Sequence, residues 1–189
     1  MSTRSIVIPG PEACCCPQAR RSLCSAGRPL ETRQQGEEPR VLEKMIALLK
    51  ANDMCVLATC RDHKPHCSLM AYVTAEDGLT VYLATRQDTT KFRNLSENPR
   101  VSLLVDTRLE WATDRSRIQS LTVEGLYVPV ENPAEEARMR QRLRDRHPHI
   151  AGLLDHPLSA LIPVRVLSFL LLDGPEKASH VRVLSETLA

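Results

Sequence analysis

The sequence has no surplus of charge of either sign: 25 Lys and Arg stand against 23 Asp and Glu, a net charge of +2 over 189 residues. A chain built to hold a polyphosphate carries a marked basic excess, so nucleic acid is not an expected partner. A long apolar run is also missing. The longest candidate, ALIPVRVLSFLLL, is interrupted by Pro163, Arg165 and Ser168 and falls short of the roughly 20 residues of a membrane helix, so no membrane partner is expected either. Residues 1–25 lack the continuous apolar segment of a secretory signal, which predicts a cytoplasmic protein whose thiols stay reduced.

Seven cysteines are therefore read without disulfides. Cys14, Cys15, Cys16 and Cys24 fall in a stretch rich in Pro, Gly and Arg with no apolar period. Adjacent cysteines cannot all ligate one tetrahedral ion and no His lies nearby, so exposed thiols are expected there and no metal. Residues 1–37 are read as a disordered tail, 38–178 as one domain and 179–189 as a second tail. Cys55, Cys60 and Cys67 lie in predicted strands as small core residues. If CRDHKPHC turns at His63 and Lys64, Cys60 and Cys67 face each other across a hairpin.

From residue 39 the pattern becomes regular. RVLEKMIALLKAN (40–52) places Val41, Leu42, Met45, Ile46, Leu48 and Leu49 on one helical face. MCVLATC (54–60), HCSLMAYVTA (66–75) and LTVYLAT (79–85) read as strands joined by turn chemistry. TTKFRNLSEN then makes about two helical turns, with Asp88 or Thr89 as N-cap and Pro99 as the stop. RVSLLVDT (100–107), SLTVEGLYVPV (120–130) and LIPVRVLSFLLLDG (161–174) complete six strands, and Gly125 marks a bulge or bend. Before the last strand, Asn132 caps a helix with Pro133 at its first position and Glu135 in a near capping box. Short antiparallel strands with small peripheral helices predict an α+β fold, a split antiparallel β-barrel of about six strands.

One stretch carries chemistry. Thr89, Thr90 and Lys91 stand where a helix N-terminus offers unpaired N–H groups and partial positive charge, so hydroxyls and an ammonium there can cradle a phosphate. The same residues also make an ordinary capped surface helix, and local chemistry leaves both readings open.

The order of elements, with VLAT, PHCSLMAYV, DGLTVYLAT and TTKFRNLSENPRVSLLV in that succession, resembles the FMN-binding split barrel family that includes pyridoxamine 5′-phosphate oxidase. The resemblance covers residues 39 to about 175, and its most specific part is the spacing of Lys91, Arg93, Asn94 and Pro99. It implies a homodimer with FMN between the subunits, acting as an oxidoreductase on a small molecule. It further implies that Thr90 and Lys91 hold the phosphate with Thr85 and Arg86 beside it. The backbone of Ser68, Leu69, Met70 and Ala71 would meet the ring edge, and Gln119 and Ser120 would reach the cofactor from the partner chain. Thr90-Lys91 replaces the oxidase's Arg-Lys pair, which makes Arg86 the candidate second cation. The ending LLLDGPEKASHVRVLSETLA lacks the oxidase's C-terminal motif, so oxidation of vitamin B6 is not expected.

Competing features are weaker. His147, His149 and His156 could ligate haem iron, which makes a haem-binding or haem-degrading protein on the same barrel the alternative, yet RHPHI spans a helix end where His caps carbonyls. Arginines two apart in RMRQRLRDR encircle their helix instead of lining a face. Trp111 sits in a polar loop, where it could stack on a ligand or a partner chain. No acid–base residue stands out as catalytic.

Overall fold

The computed structural model describes residues 38–183; the expected N-terminal tail, with Cys14, Cys15, Cys16 and Cys24, lies outside them. Helix α1 (Glu38–Ala51) leads into strands β1 (Met54–Arg61), β2 (Lys64–Thr74) and β3 (Thr80–Arg86). Helix α2 (Thr90–Glu97) follows, then β4 (Arg100–Asp106), β5 (Gln119–Tyr127), helix α3 (Pro133–Arg146), a short helix α4 (Ala151–Leu154), β6 (Ser159–Asp173) and β7 (Lys177–Arg182). All pairings are antiparallel in the order β3-β2-β1-β4-β5-β6-β7, and β3 also pairs with β6. Six strands thus close into a ring, the α+β barrel expected, and β7 is added outside it.

The length of β6 makes this possible. Its residues 159–165 pair with β3 and its residues 168–173 with β7, while β5 runs along the opposite edge. At Glu124/Gly125 the β5–β6 register shifts. A Cβ on Gly125 would come 2.4 Å from Val164 Cγ1 and 2.8 Å from the Arg165 carbonyl, so the bulge expected from Gly125 also lets two backbones approach closely.

Alternation sorts the side chains. Cys55, Leu57, Met70, Tyr72, Val81, Leu83, Leu103, Val105, Leu121 and Val123 face inward and form the main core. Met45 and Leu49 of α1 and Leu95 of α2 add to it, all but fully buried. α1 is fastened near the start of β1, where the Tyr72 hydroxyl donates to the Leu49 carbonyl at 2.6 Å. A second cluster, Val73, Tyr82, Ala84, Met139, Leu143, Leu154 and Leu161, lies on the outer side of β2, β3 and β6 beneath α3 and α4.

Three expectations are corrected. The first hairpin turns at Asp62 and His63, both at positive φ, one residue earlier than expected. Cys60 therefore lies opposite Pro65 and Cys67 opposite Ala58, so the two cysteines do not face each other. Cys67 is also exposed, not a core residue, whereas Cys55 is buried and burial pushes its thiol up to about 12. The sheet runs on past residue 178, because β7 pairs with the second half of β6.

Candidate functional site

The two strands that should flank a ligand part company. β2 and β3 pair only over Tyr72–Thr74 and Val81–Leu83, which leaves one edge of β2 without a strand over residues 64–71 among the described residues. The Tyr72 N–H donates to Asp53 O at 3.0 Å on the β1 side. By antiparallel alternation the backbone N–H and C=O of Leu69 and Ala71 then point to the open edge. Of the four residues expected to present backbone there, Leu69 and Ala71 thus turn their polar groups to the open edge, while Ser68 and Met70 turn theirs toward β1. Met70 faces the core, while Leu69 is 70% exposed on the outer face.

Helix α2 sits at this split. Leu95 anchors it in the core, a burial that contributes about 1.5–3 kcal/mol. The buried Asn94 side chain donates to Thr59 Oγ1 at 3.1 Å, and Thr59 donates in turn to the His66 carbonyl at 3.4 Å. The Ser68 hydroxyl lies 3.2 Å from His66 Nε2, so α2 is fastened two residues from the start of the expected ring-edge segment. The other end of α2 is held by Arg61 and Glu97 at 3.2 Å and by Asn98 donating to the Cys60 carbonyl.

At its N-terminus the helix is open. Thr89 occupies the N-cap position with extended backbone, but its side chain makes no capping hydrogen bond. Its hydroxyl donates backward to the Arg86 carbonyl at 2.8 Å and lies 3.2 Å from Thr85 Oγ1. Thr85 continues the inward row of Val81 and Leu83 and is 3% exposed, a hydroxyl buried at the mouth of the ring. Lys91 Nζ stands 3.5 Å from it. Burial lowers the Lys91 pKa, and among the described residues Lys91 has no carboxylate partner. The helix also has no acidic residue in its first turn. A cation near a helix N-terminus is locally unfavourable, so the ammonium, the unpaired amides and the two hydroxyls together present an arrangement suited to an anion. Thr89, read from the sequence as part of a possible cradle but absent from the set that the family resemblance implies, turns its side chain toward Thr85.

Arg86 is differently placed. Its side chain lies on the surface and forms a two-pronged pair with Asp88, Nε meeting Oδ1 at 3.0 Å and the second guanidinium nitrogen meeting Oδ2. Thr90 is exposed at the first helical position. Gln119 and Ser120 are elsewhere: Thr85 and Arg86 pair with Ala160 and Ser159 at the start of β6, while Gln119 and Ser120 pair with Asp173 and Leu172 at its end. The two groups are roughly 40 Å apart along the path of the strand at about 3.3 Å per residue. Gln119 Nε2 donates to Asp173 at 2.7 Å, and Lys44 reaches the same carboxylate at 2.6 Å. One chain does not bring Gln119 and Ser120 to the α2 cradle.

The competing features are occupied. The buried His147 ends α3, its backbone N–H donating to Leu143 O at 2.8 Å and its Nε2 donating to Tyr72 O at 3.0 Å. His149 packs edge-on against it, and His156 Nδ1 accepts from the Leu158 N–H. Among the described residues no three His, Cys, Asp or Glu side chains are grouped to hold a metal ion. Arg140 is bound to Glu136 and Ser159, Arg144 to Asp155, and Arg146 to the carbonyls of Lys50 and Asn52. Trp111 carries the Arg117 guanidinium 3.3 Å above its ring centroid. Among the described residues no helix is long and apolar enough to cross a membrane.

Known proteins resemble this chain in sequence or in fold. A pyridoxamine 5′-phosphate oxidase homolog from Schizosaccharomyces pombe is 36% identical over 75 residues, 35% of this chain and 38% of that relative; the chain thus spans well under half the length of the curated relative it matches. Among solved structures, a heme binding protein from Mycobacterium smegmatis superposes with a TM-score of 0.64 at 20% identity, over 73% of this chain and 57% of that one. A FAD-binding protein from Mesorhizobium loti gives 0.54 at 17% identity, over 67% and 90%. At these identities the two structures are alike in fold. The model of the pyridoxamine 5′-phosphate oxidase family matches residues 41–169, a stretch that takes in the ring from β1 into β6, the open edge of β2 and the α2 cradle, and the chain belongs to that family.

Proposed function

We propose that the chain is an FMN-binding flavoprotein, a homodimeric oxidoreductase acting on a small molecule other than vitamin B6. The observation that carries this reading is the start of α2, where Lys91 and the buried Thr85 hydroxyl stand at a helix N-terminus that its own N-cap side chain leaves unsatisfied. Thr85, Thr89, Thr90 and Lys91 hold the phosphate. The backbone of Leu69 and Ala71 meets the polar edge of the ring, and Ser68 and Met70 flank it. Flavin supplies hydride or electron transfer when bound.

Magnitudes support a ligand with a body as well as an anion. A charge-assisted hydrogen bond contributes roughly 1.5–3 kcal/mol and micromolar binding requires about 8 kcal/mol. The rest comes from burying the ring against the β2 edge. Since Gln119 and Ser120 stand at the far end of β6, their expected contact with the cofactor comes from the second copy. The exposed outer face of β2, with Leu69, together with Leu172 at the end of β6, 43% exposed, gives that copy apolar surface to cover.

The absorbance spectrum of the purified protein tests the reading. Two flavin bands that acid releases into solution support it; a single intense Soret band replaces it with haem binding. Mixing the flavin-loaded protein with NADH or NADPH then separates a turning-over enzyme from a binding module.

A further inference from the structure

The link from β3 to α2 holds an acid where a phosphate site should have none. Asp88 lies directly before the N-cap residue Thr89, and its carboxylate takes both prongs of Arg86. The backbone around the pair is fixed: the Gln87 N–H donates to Leu158 O at 2.9 Å, the Thr89 N–H to Arg86 O at 3.2 Å and the Thr89 hydroxyl to the same carbonyl at 2.8 Å. The side chains are less constrained, with Arg86 45% and Asp88 46% exposed. Arg86 beside it, and more weakly His156, keeps the Asp88 carboxyl below the usual range, so Asp88 is charged at neutral pH.

We propose that Asp88 sets the phosphate affinity of the cradle, holding Arg86 on its own carboxylate until the phosphate of the ligand displaces it. The proposal rests on the FMN reading and adds a residue to it. A guanidinium fork fits a carboxylate and a phosphate equally well, so Arg86 can exchange one for the other from an anchored backbone. An exposed pair contributes little to stability, so the native fold does not oppose the exchange. Asp88 is thereby an internal stand-in for the ligand's anion, and the second cation that Thr90 does not supply is present but engaged.

Titration of wild type, Asp88→Asn, Arg86→Gln and the double variant with FMN and with riboflavin, followed by flavin fluorescence, tests this without any need for turnover. Asp88→Asn tightens FMN at least threefold and leaves riboflavin unchanged; Arg86→Gln weakens FMN; and in the Arg86→Gln background the Asp88→Asn gain disappears. An unchanged FMN affinity in Asp88→Asn overturns the proposal. A gain of the same size in both backgrounds does so too, since it shows simple charge repulsion and not release of Arg86. A wild-type chain that binds neither flavin removes the FMN reading itself, an outcome distinct from either of these.

Discussion

Helix α3 closes its own N-terminus and helix α2 does not. In α3 the Asn132 side chain accepts the Ala134 N–H at 2.9 Å, Pro133 removes one of the N–H groups that would need a partner, and Glu135 and Glu136 place negative charge in the first turn. Each choice favours the helix as an isolated element. In α2 the Thr89 side chain turns away, no acid follows it, and Lys91 brings positive charge to the positive end of the dipole. Both helices are packed by buried residues, Leu95 in one and Met139 and Leu143 in the other, so the contrast is confined to their first turns. α3 satisfies its first turn with its own residues, and the N-cap side chain of α2 leaves its first turn open.

The most forceful way to break this contrast is to make α2 resemble α3. Thr89→Asp supplies the missing cap and stabilises the ligand-free protein by about 0.5–1 kcal/mol, measurable by urea unfolding. The same carboxylate stands where phosphate oxygens belong, so FMN binds at least tenfold more weakly. Stability and affinity that rise together would show that the open N-terminus has nothing to do with the ligand.

Acidity gives a second, smaller test with opposite signs for the two properties. Burial lowers the Lys91 pKa in the folded chain from the ordinary 10.5. Between the lowered value and 10.5 the unfolded chain holds the proton that the folded chain has lost, so ligand-free stability rises with pH across that interval. Phosphate affinity falls across it, because the ammonium is what disappears. FMN titrations and urea unfolding at matched pH values check both trends, and Lys91→Ala removes both.

The smallest effect sharpens the other half of the comparison. Asn132→Ala costs about 1 kcal/mol of stability and leaves FMN affinity unaltered, since the α3 cap serves only its own helix. A drop in affinity would join the two helices into one functional unit.

Much of this was legible in the sequence because it is local. The period of α1, the apolar segments of β1 to β6, the Asn132 cap, the bulge at Gly125 and the helix stop at Pro99 each arise within a few residues. What was hidden depends on distant partners. KASHVR becomes β7 through its ladder with β6, for Val181 is its one large apolar residue. Asp62-His63 lacks the usual hairpin dipeptide chemistry, so the register of Cys60 and Cys67 was one turn residue out. Glu135, expected to reach back to Asn132, instead accepts the Tyr82 hydroxyl, which burial and that bond push up to about 12. In the site, Lys91 was legible as a cation at a helix start and Thr85 only through the family resemblance, whereas the orientation of Thr89, the pairing of Arg86 with Asp88 and the distance of Gln119 and Ser120 from the cradle follow from tertiary structure.

The most direct test of the account compares FMN with riboflavin, which differ by the phosphate alone, on wild type and Lys91→Ala. The account predicts that wild type binds FMN at least tenfold more tightly, about 1.4 kcal/mol, and that Lys91→Ala loses most of this preference by weakening FMN at least tenfold with riboflavin unchanged. Equal affinities for the two flavins in wild type, or an FMN preference that survives Lys91→Ala intact, would contradict it.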